Sequence, residues 1–136
     1  MTMKLVRGTA LDSLADYALV EAEVPRPGPG QVQIRVAACG IGYVDVLVAL
    51  GGYQVKPPLP HTPGQEVAGT IAALGEGVTG LSVGDRVLAS AQGGFAQVVV
   101  AAAENVYRLP DGLGFAEASA LRINYLTALH GLRDRA

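Results

Sequence analysis

The chain contains little cysteine, little charge and no long apolar run. Its 136 residues include one cysteine and no tryptophan, and 16% of them are charged. A single cysteine excludes an intramolecular disulfide and favours a reducing compartment. No apolar run reaches the roughly 20 residues that a membrane-spanning helix needs, and the first residues lack the hydrophobic segment of a signal peptide. We therefore expect a cytoplasmic protein that does not engage a membrane.

Basic residues are also too few for a nucleic-acid surface. Ten lysines and arginines stand against twelve aspartates and glutamates, which gives a net charge of −2. A nucleic-acid-binding domain carries a basic patch, and none is visible here. Half of the residues are hydrophobic, and a chain of this length can bury a real core. The composition therefore predicts one folded domain.

Turn-forming residues are abundant, with 18 glycines and 8 prolines separating short strand-like segments. The clearest segment, residues 32–39, alternates apolar and polar side chains, as a half-buried strand does. Further strands are predicted at 17–24, 65–74, 86–90, 95–101 and 105–108. This pattern predicts a mainly β protein, built as a small, partly open β-barrel.

Helices are few in the predicted fold. Residues 43–50 suit a short helix that ends at the Gly51-Gly52 pair. A helical pattern begins at Phe115 and continues to the end of the chain, with Asn124 as a possible cap. Its apolar face is formed by Tyr125, Leu126, Leu129 and Leu132.

Several segments, taken in order, resemble landmarks of the GroES-like catalytic domain in medium-chain dehydrogenases and reductases. They are residues 36–45, 57–69, 75–87, 109–113 and 124–130. The resemblance covers nearly the whole chain. It implies a GroES-like barrel over residues 1–121, followed at 122–136 by the start of a helix that links this domain to a Rossmann domain.

The triplet Gly64-Gln65-Glu66 indicates one branch of that family. Zinc-dependent members carry Gly-His-Glu here, and the histidine binds catalytic zinc, whereas glutamine is a poor zinc ligand. Their ligand cysteine corresponds to Gly42, and Cys39 lies upstream of that position. Cys39 is therefore interpreted as a buried structural cysteine. The resemblance implies the quinone oxidoreductase branch, with no bound metal.

The same resemblance implies the site residues. Tyr53 matches a pocket-lining tyrosine whose phenol can donate to a developing oxyanion, although a tyrosine bridging surface and core remains an equal alternative. Gly42 replaces an asparagine that lies beside the nicotinamide in similar enzymes, and Tyr43 can partly refill the space. Thr127 matches a threonine that contacts the nicotinamide; its alternative is a helix threonine bonded to its own backbone.

Other polar residues are given structural roles. Asp45 and Glu66 are expected to form ion pairs, with Arg86 as a candidate partner. His61 follows Pro60 in a loop and is expected to face solvent, and His130 receives no role.

The implied activity is hydride transfer from NADPH to a quinone or an activated alkene. Residues 75–80 match G-x-G-x-x-G by letter, but they are turn residues between strands and offer no pyrophosphate site. The chain stops at Ala136, so we expect the Rossmann domain to be absent and the 136 residues alone to be inactive. An enoyl reductase of carrier-bound acyl chains is an alternative. Another alternative is a stand-alone β-barrel that serves as an interaction or oligomerisation module. The uncovered terminal helix predicts a homo-oligomer.

Overall fold

Two antiparallel sheets make up most of the computed structural model, which describes residues 1–136. The first sheet pairs β1 (Thr2–Gly8) with β2 (Tyr17–Glu23). The second contains, in chain order, β3 (Gln31–Cys39), β4 (Glu66–Leu74), β5 (Arg86–Ser90), β6 (Val98–Ala102) and β7 (Val106–Arg108). Within the sheet the strands lie in the order β6-β3-β4-β5-β7. The prediction of a mainly β fold is confirmed.

Residues 95–97 join the two sheets without belonging to a regular strand. The Val6 amide donates to the Phe95 carbonyl at 2.8 Å, and the Gln97 amide donates to the Lys4 carbonyl at 3.0 Å. Strands β2 and β7 remain at the edges of their sheets, so the barrel is not closed. The partly open barrel is therefore confirmed, although the regular strand predicted from residue 95 begins at Val98.

The barrel core comes from alternate residues of the central strands. Val32, Ile34, Val67, Ile71 and Val87 are its largest fully buried side chains. Val32 and Ile34 lie on the face of β3 that the sequence alternation predicted to be buried. The buried side chains of these strands thus form one apolar cluster, which is the core of the barrel.

Strand β1 was not anticipated from the sequence. Its buried residues Met3 and Leu5 alternate with exposed neighbours, which is the ordinary strand signal. The signal is only a few residues long and stands at the chain terminus. Pairing stabilises it on both sides: with β2, the next strand along the chain, and with residues 95–97, which are distant in sequence.

Three α-helices complete the fold: α1 (Tyr43–Ala49), α2 (Phe115–Ala118) and α3 (Arg122–Asp134), with short 3-10 helices at Leu14–Asp16 and Ala103–Asn105. Gly51 follows α1 with a φ of 69°, which confirms the predicted glycine stop. The proposed cap of the last helix is wrong, because Asn124 lies inside its first turn. The Asn124 side-chain amide donates back to the Ala120 carbonyl at 3.4 Å. No helix is long and apolar enough to cross a bilayer.

Candidate functional site

Two recesses share a wall on one side of the barrel. The larger has a volume of about 680 Å³ and lies between α1, the loop of residues 53–65 and Gln92-Gly93. The smaller, about 190 Å³, lies between residues 40–45 and the start of α3. Asp45 and Gln65 line both of them. Gln65 therefore stands where a molecule in one recess would meet a molecule in the other.

Asp45 holds this shared wall in place through the backbone. Its buried carboxylate accepts the Gly42 amide at 2.8 Å and the Gly64 amide at 3.1 Å. The first bond caps the N-terminus of α1, and the second fixes the start of the Gly64-Gln65-Glu66 triplet. The predicted ion pair with Arg86 is wrong for Asp45, since two amides satisfy its carboxylate.

Glu66 connects the same wall to α3. It is only 4% exposed, and its carboxylate accepts the backbone amides of Arg122 and Ile123. Both amides belong to the first turn of α3, where backbone N–H groups have no acceptor within the helix. The ion pair predicted with Arg86 is therefore wrong for Glu66 as well. The Arg86 guanidinium instead donates to the Leu113 carbonyl and lies 4.7 Å from the centre of the Phe115 ring.

Three of the four predicted site residues line the recesses. Tyr53 is half-buried in the wall of the larger one, and Gly42 and Tyr43 line the smaller one. Thr127 lines neither of the two. Its hydroxyl donates to the Ile123 carbonyl at 2.6 Å on an exposed part of α3. The backbone contact matches the structural alternative for Thr127, and the roles of all four residues stay predictions.

His61 is placed differently from the expectation. It is half-buried in the wall of the larger recess and does not lie free in solvent. Burial lowers its pKa below the usual value, and the nearby Asp45 carboxylate opposes that shift. The sequence carried no sign of this placement, because it depends on pairing with Gly8, more than fifty residues away.

Cys39 is packed behind the Gly64-Gln65-Glu66 triplet. Cβ atoms built on Gly64 and on Gly94 would each lie 2.9 Å from its Sγ, so both glycines leave space for the sulfur. The residue is half-buried and packs against the barrel core, as a structural cysteine does. Burial, with the charge of Asp45, raises the pKa of the thiol to about 11.

We expect Cys39 to react slowly with iodoacetamide. A thiol pKa near 11 leaves about 100-fold less thiolate at pH 7 than a pKa near 9, because the thiolate fraction falls tenfold per unit. Mass spectrometry of the intact chain measures the rate directly, since Cys39 is its only cysteine. The rate should rise about tenfold per pH unit up to pH 10. Alkylation at pH 7 as fast as that of free cysteine would contradict the assigned burial.

The donor set around the recesses does not suit a zinc ion. No group of three His, Cys, Asp or Glu side chains within residues 1–136 is arranged to hold a metal. Asp45 and Glu66 already accept two amides each, and the side chain beside them at the junction of the recesses is the amide of Gln65. Zinc sites are built from thiolate, imidazole and carboxylate ligands that are free to bind.

Residues 28–111 match the model of the alcohol dehydrogenase GroES-like domain. The chain belongs to this family. It is 42% identical over 136 residues to the human synaptic vesicle membrane protein VAT-1 homolog, covering 96% of this chain and 35% of that protein. It is 43% identical over 114 residues to the quinone oxidoreductase of Lama guanicoe, covering 82% of this chain and 34% of that protein. The chain thus spans about a third of these relatives.

Solved structures of the family show the same fold. A human VAT-1 homolog-like protein superposes with a TM-score of 0.95 at 36% identity, over 98% of this chain and 44% of that one. A mycobacterial protein complexed with NADPH superposes with a TM-score of 0.90 at 31% identity, over 98% of this chain and 40% of that one. A cobalt- and zinc-bound alcohol dehydrogenase from Pyrobaculum aerophilum superposes with a TM-score of 0.91 at 31% identity, over 100% of this chain and 49% of that one. The fold therefore accompanies both metal-bound and NADPH-bound members of an oxidoreductase family.

Proposed function

We propose that this chain is the catalytic-domain portion of a zinc-independent oxidoreductase that transfers hydride from NADPH to a quinone or an activated alkene. Gln65 at the junction of the two recesses carries the proposal. An amide there can donate to a carbonyl oxygen but is a poor metal ligand. The match to quinone oxidoreductases supports the acceptor class, and the NADPH-bound structure of similar fold supports the cofactor.

The smaller recess suits a nicotinamide ring. Gly40 and Gly42 line it without side chains, and Tyr43 and Ile123 supply apolar surface. When bound, NADPH supplies the hydride. Asp45 and Glu66 would act only through the backbone, by holding the walls at a fixed separation. Pre-set walls are what a transfer between two bound molecules requires, because orientation removes much of its entropic barrier.

The larger recess suits the hydride acceptor. Tyr53 lines it together with the polar groups of Gln65 and Gln92. In the proposed complex the Tyr53 phenol donates to the oxygen on which negative charge develops as hydride arrives. The volume of about 680 Å³ accommodates a fused-ring quinone. The proposed protein has a barrel domain at residues 1–121, the start of a linker helix at residues 122–136, and a cytoplasmic location.

The 136 residues by themselves are expected to bind NADPH weakly. Every paired strand is antiparallel, so residues 1–136 contain no pair of parallel strands joined by a helix, which is the unit that holds a pyrophosphate. The complete gene product that contains these residues should oxidise NADPH with phenanthrenequinone, whereas the 136-residue chain should not. A gene product inactive with every quinone and enone tested would contradict the proposed function.

Chelation tests separately whether the proposed activity is independent of zinc. Treatment of the complete gene product with phenanthroline should leave its quinone reductase rate unchanged, and elemental analysis should find no stoichiometric zinc. The matched variant is Gln65→His, which restores the ligand type of zinc-dependent relatives without supplying the other ligands. It should still purify without zinc. One zinc per native chain, or loss of activity on chelation, would contradict the proposal of a zinc-independent enzyme.

The chain is also proposed to self-associate through α3. Tyr125, Leu126, Leu129 and Leu132 are all at least half exposed, and apolar surface left in water forgoes roughly 25 cal/mol per Å². Light scattering of the 136-residue chain at micromolar concentration should report a dimer or larger. Leu129→Glu should shift it to monomer, whereas Gly131→Glu, on the opposite helix face, should not. A native monomer would favour a self-sufficient barrel module.

A further inference from the structure

His61 is the one histidine of the chain whose ring is free to meet a ligand. The other, His130, contacts Asp134 at 3.0 Å and Arg135 at 3.4 Å on exposed α3. The His61 ring makes no side-chain hydrogen bond within residues 1–136, and the residue lines the larger recess. A half-buried imidazole with two unpaired nitrogens in a cavity wall is a ready hydrogen-bonding group.

The position of His61 is fixed by the barrel. Its backbone exchanges two hydrogen bonds with Gly8, at 2.8 and 2.9 Å, which tie the loop to the end of β1. Its ring meets the Tyr17 ring edge to face, with centroids 6.3 Å apart. Tyr17 in turn lies against Gly8, where a built Cβ would be 2.7 Å from its Cε1. Only glycine at residue 8 leaves room for this arrangement.

The charge state of the ring follows from its surroundings. Burial favours the neutral imidazole, and the resulting fall in pKa is opposed by Asp45 from α1. The other charged group lining the recess is Lys56, and the Tyr17 phenol stands on the side of β2. A neutral imidazole keeps one N–H donor and can polarise a carbonyl without a proton transfer.

We infer that His61 binds the hydride acceptor by donating a ring N–H to its carbonyl oxygen, in the recess that Tyr53 also lines. This inference rests on the proposed function, because it takes a carbonyl compound as the occupant of the larger recess. His61 is then a substrate-binding residue that selects acceptors bearing an oxygen at this point. An apolar ring of the same shape would fill the recess without engaging it.

A pair of isosteric probes tests this on the 136-residue chain. Anthraquinone sulfonate has two carbonyl oxygens and no ring carbon open to alkylation, whereas anthracene sulfonate has the same rings and no carbonyl. Dissociation constants for both come from calorimetric titration. His61→Phe keeps a ring against Tyr17 but removes the donor, and His61→Gln keeps an N–H donor.

We expect His61→Phe to weaken anthraquinone sulfonate binding by about 2- to 10-fold, the range of a single net hydrogen bond. Anthracene sulfonate affinity should not change, and His61→Gln should recover most of the loss. In the native chain, only one of the two histidine ring signals in the NMR spectrum should shift on adding the quinone. His130→Gln identifies the other signal.

The possible failures are distinguishable. If His61→Phe weakens both probes equally, or neither, the hydrogen bond is absent and this inference fails while the proposed function stands. If neither probe reaches the larger recess, judged by the amide signals of Gly64 and Gly93, both the inference and the proposed acceptor site fail.

Discussion

Replacing Gly69 by alanine is expected to lower the free energy of unfolding by about 3 kcal/mol or more. Gly69 lies within β4, between β3 and β5, and is buried. A Cβ built there overlaps the carbonyl oxygen of Arg35 and lies 3.0 Å from Cγ2 of Ile34. Backbone atoms of a paired central strand cannot move aside without breaking the β3–β4 ladder.

Urea denaturation of the two chains measures this effect through the midpoint at constant slope. The matched control is Gly131→Ala in α3, where nothing lies within 4 Å of the added atom. Because alanine favours helix over glycine by about 1 kcal/mol, that control should hold or raise stability. A loss below about 1 kcal/mol for Gly69→Ala would mean that the strand spacing at β3–β4 is looser than described.

Local patterns were enough to predict most elements of the fold. The alternation in β3 and the glycine stop after α1 are readable because neighbours in sequence decide them. Contacts between distant residues were not readable in this way. The tight approach of Gly69 to Arg35 and the pairing of β1 with residues 95–97 depend on which strands become neighbours. A single sequence carries that information only through resemblance.

The site shows the same division. Resemblance pointed to Tyr53, Gly42, Tyr43 and Thr127. The first three line the adjoining recesses, whereas Thr127 lines neither of them. The resemblance did not show what Asp45 and Glu66 contact. Either a cationic side chain or backbone amides can satisfy a buried carboxylate. The spacing of residues in the sequence does not tell which kind of partner is present. Both carboxylates accept amides at helix N-termini.

Loss of the Glu66 carboxylate is expected to destabilise α3. Replacing Glu66 by leucine removes the acceptor of the Arg122 and Ile123 amides. It also removes a negative charge from the positive end of a 13-residue helix. Loss of a cap and of a favourable dipole contact together should cost about 2 kcal/mol. Since α3 has no buried residues of its own, most of that loss should appear as fraying of α3.

Hydrogen exchange separates fraying from global destabilisation. In Glu66→Leu, amides of α3 should exchange at least about tenfold faster, the equivalent of 1.4 kcal/mol, while those of β3 and β4 change less. Glu66→Gln retains one acceptor oxygen and should give a smaller acceleration. Glu76→Gln, at an exposed turn, serves as the neutral control. Equal acceleration in α3 and in the central strands would show that Glu66 supports the barrel as a whole, and its contact with α3 would then not be what holds the helix. Unchanged exchange in α3 would mean that the helix N-terminus is stable without the Glu66 carboxylate.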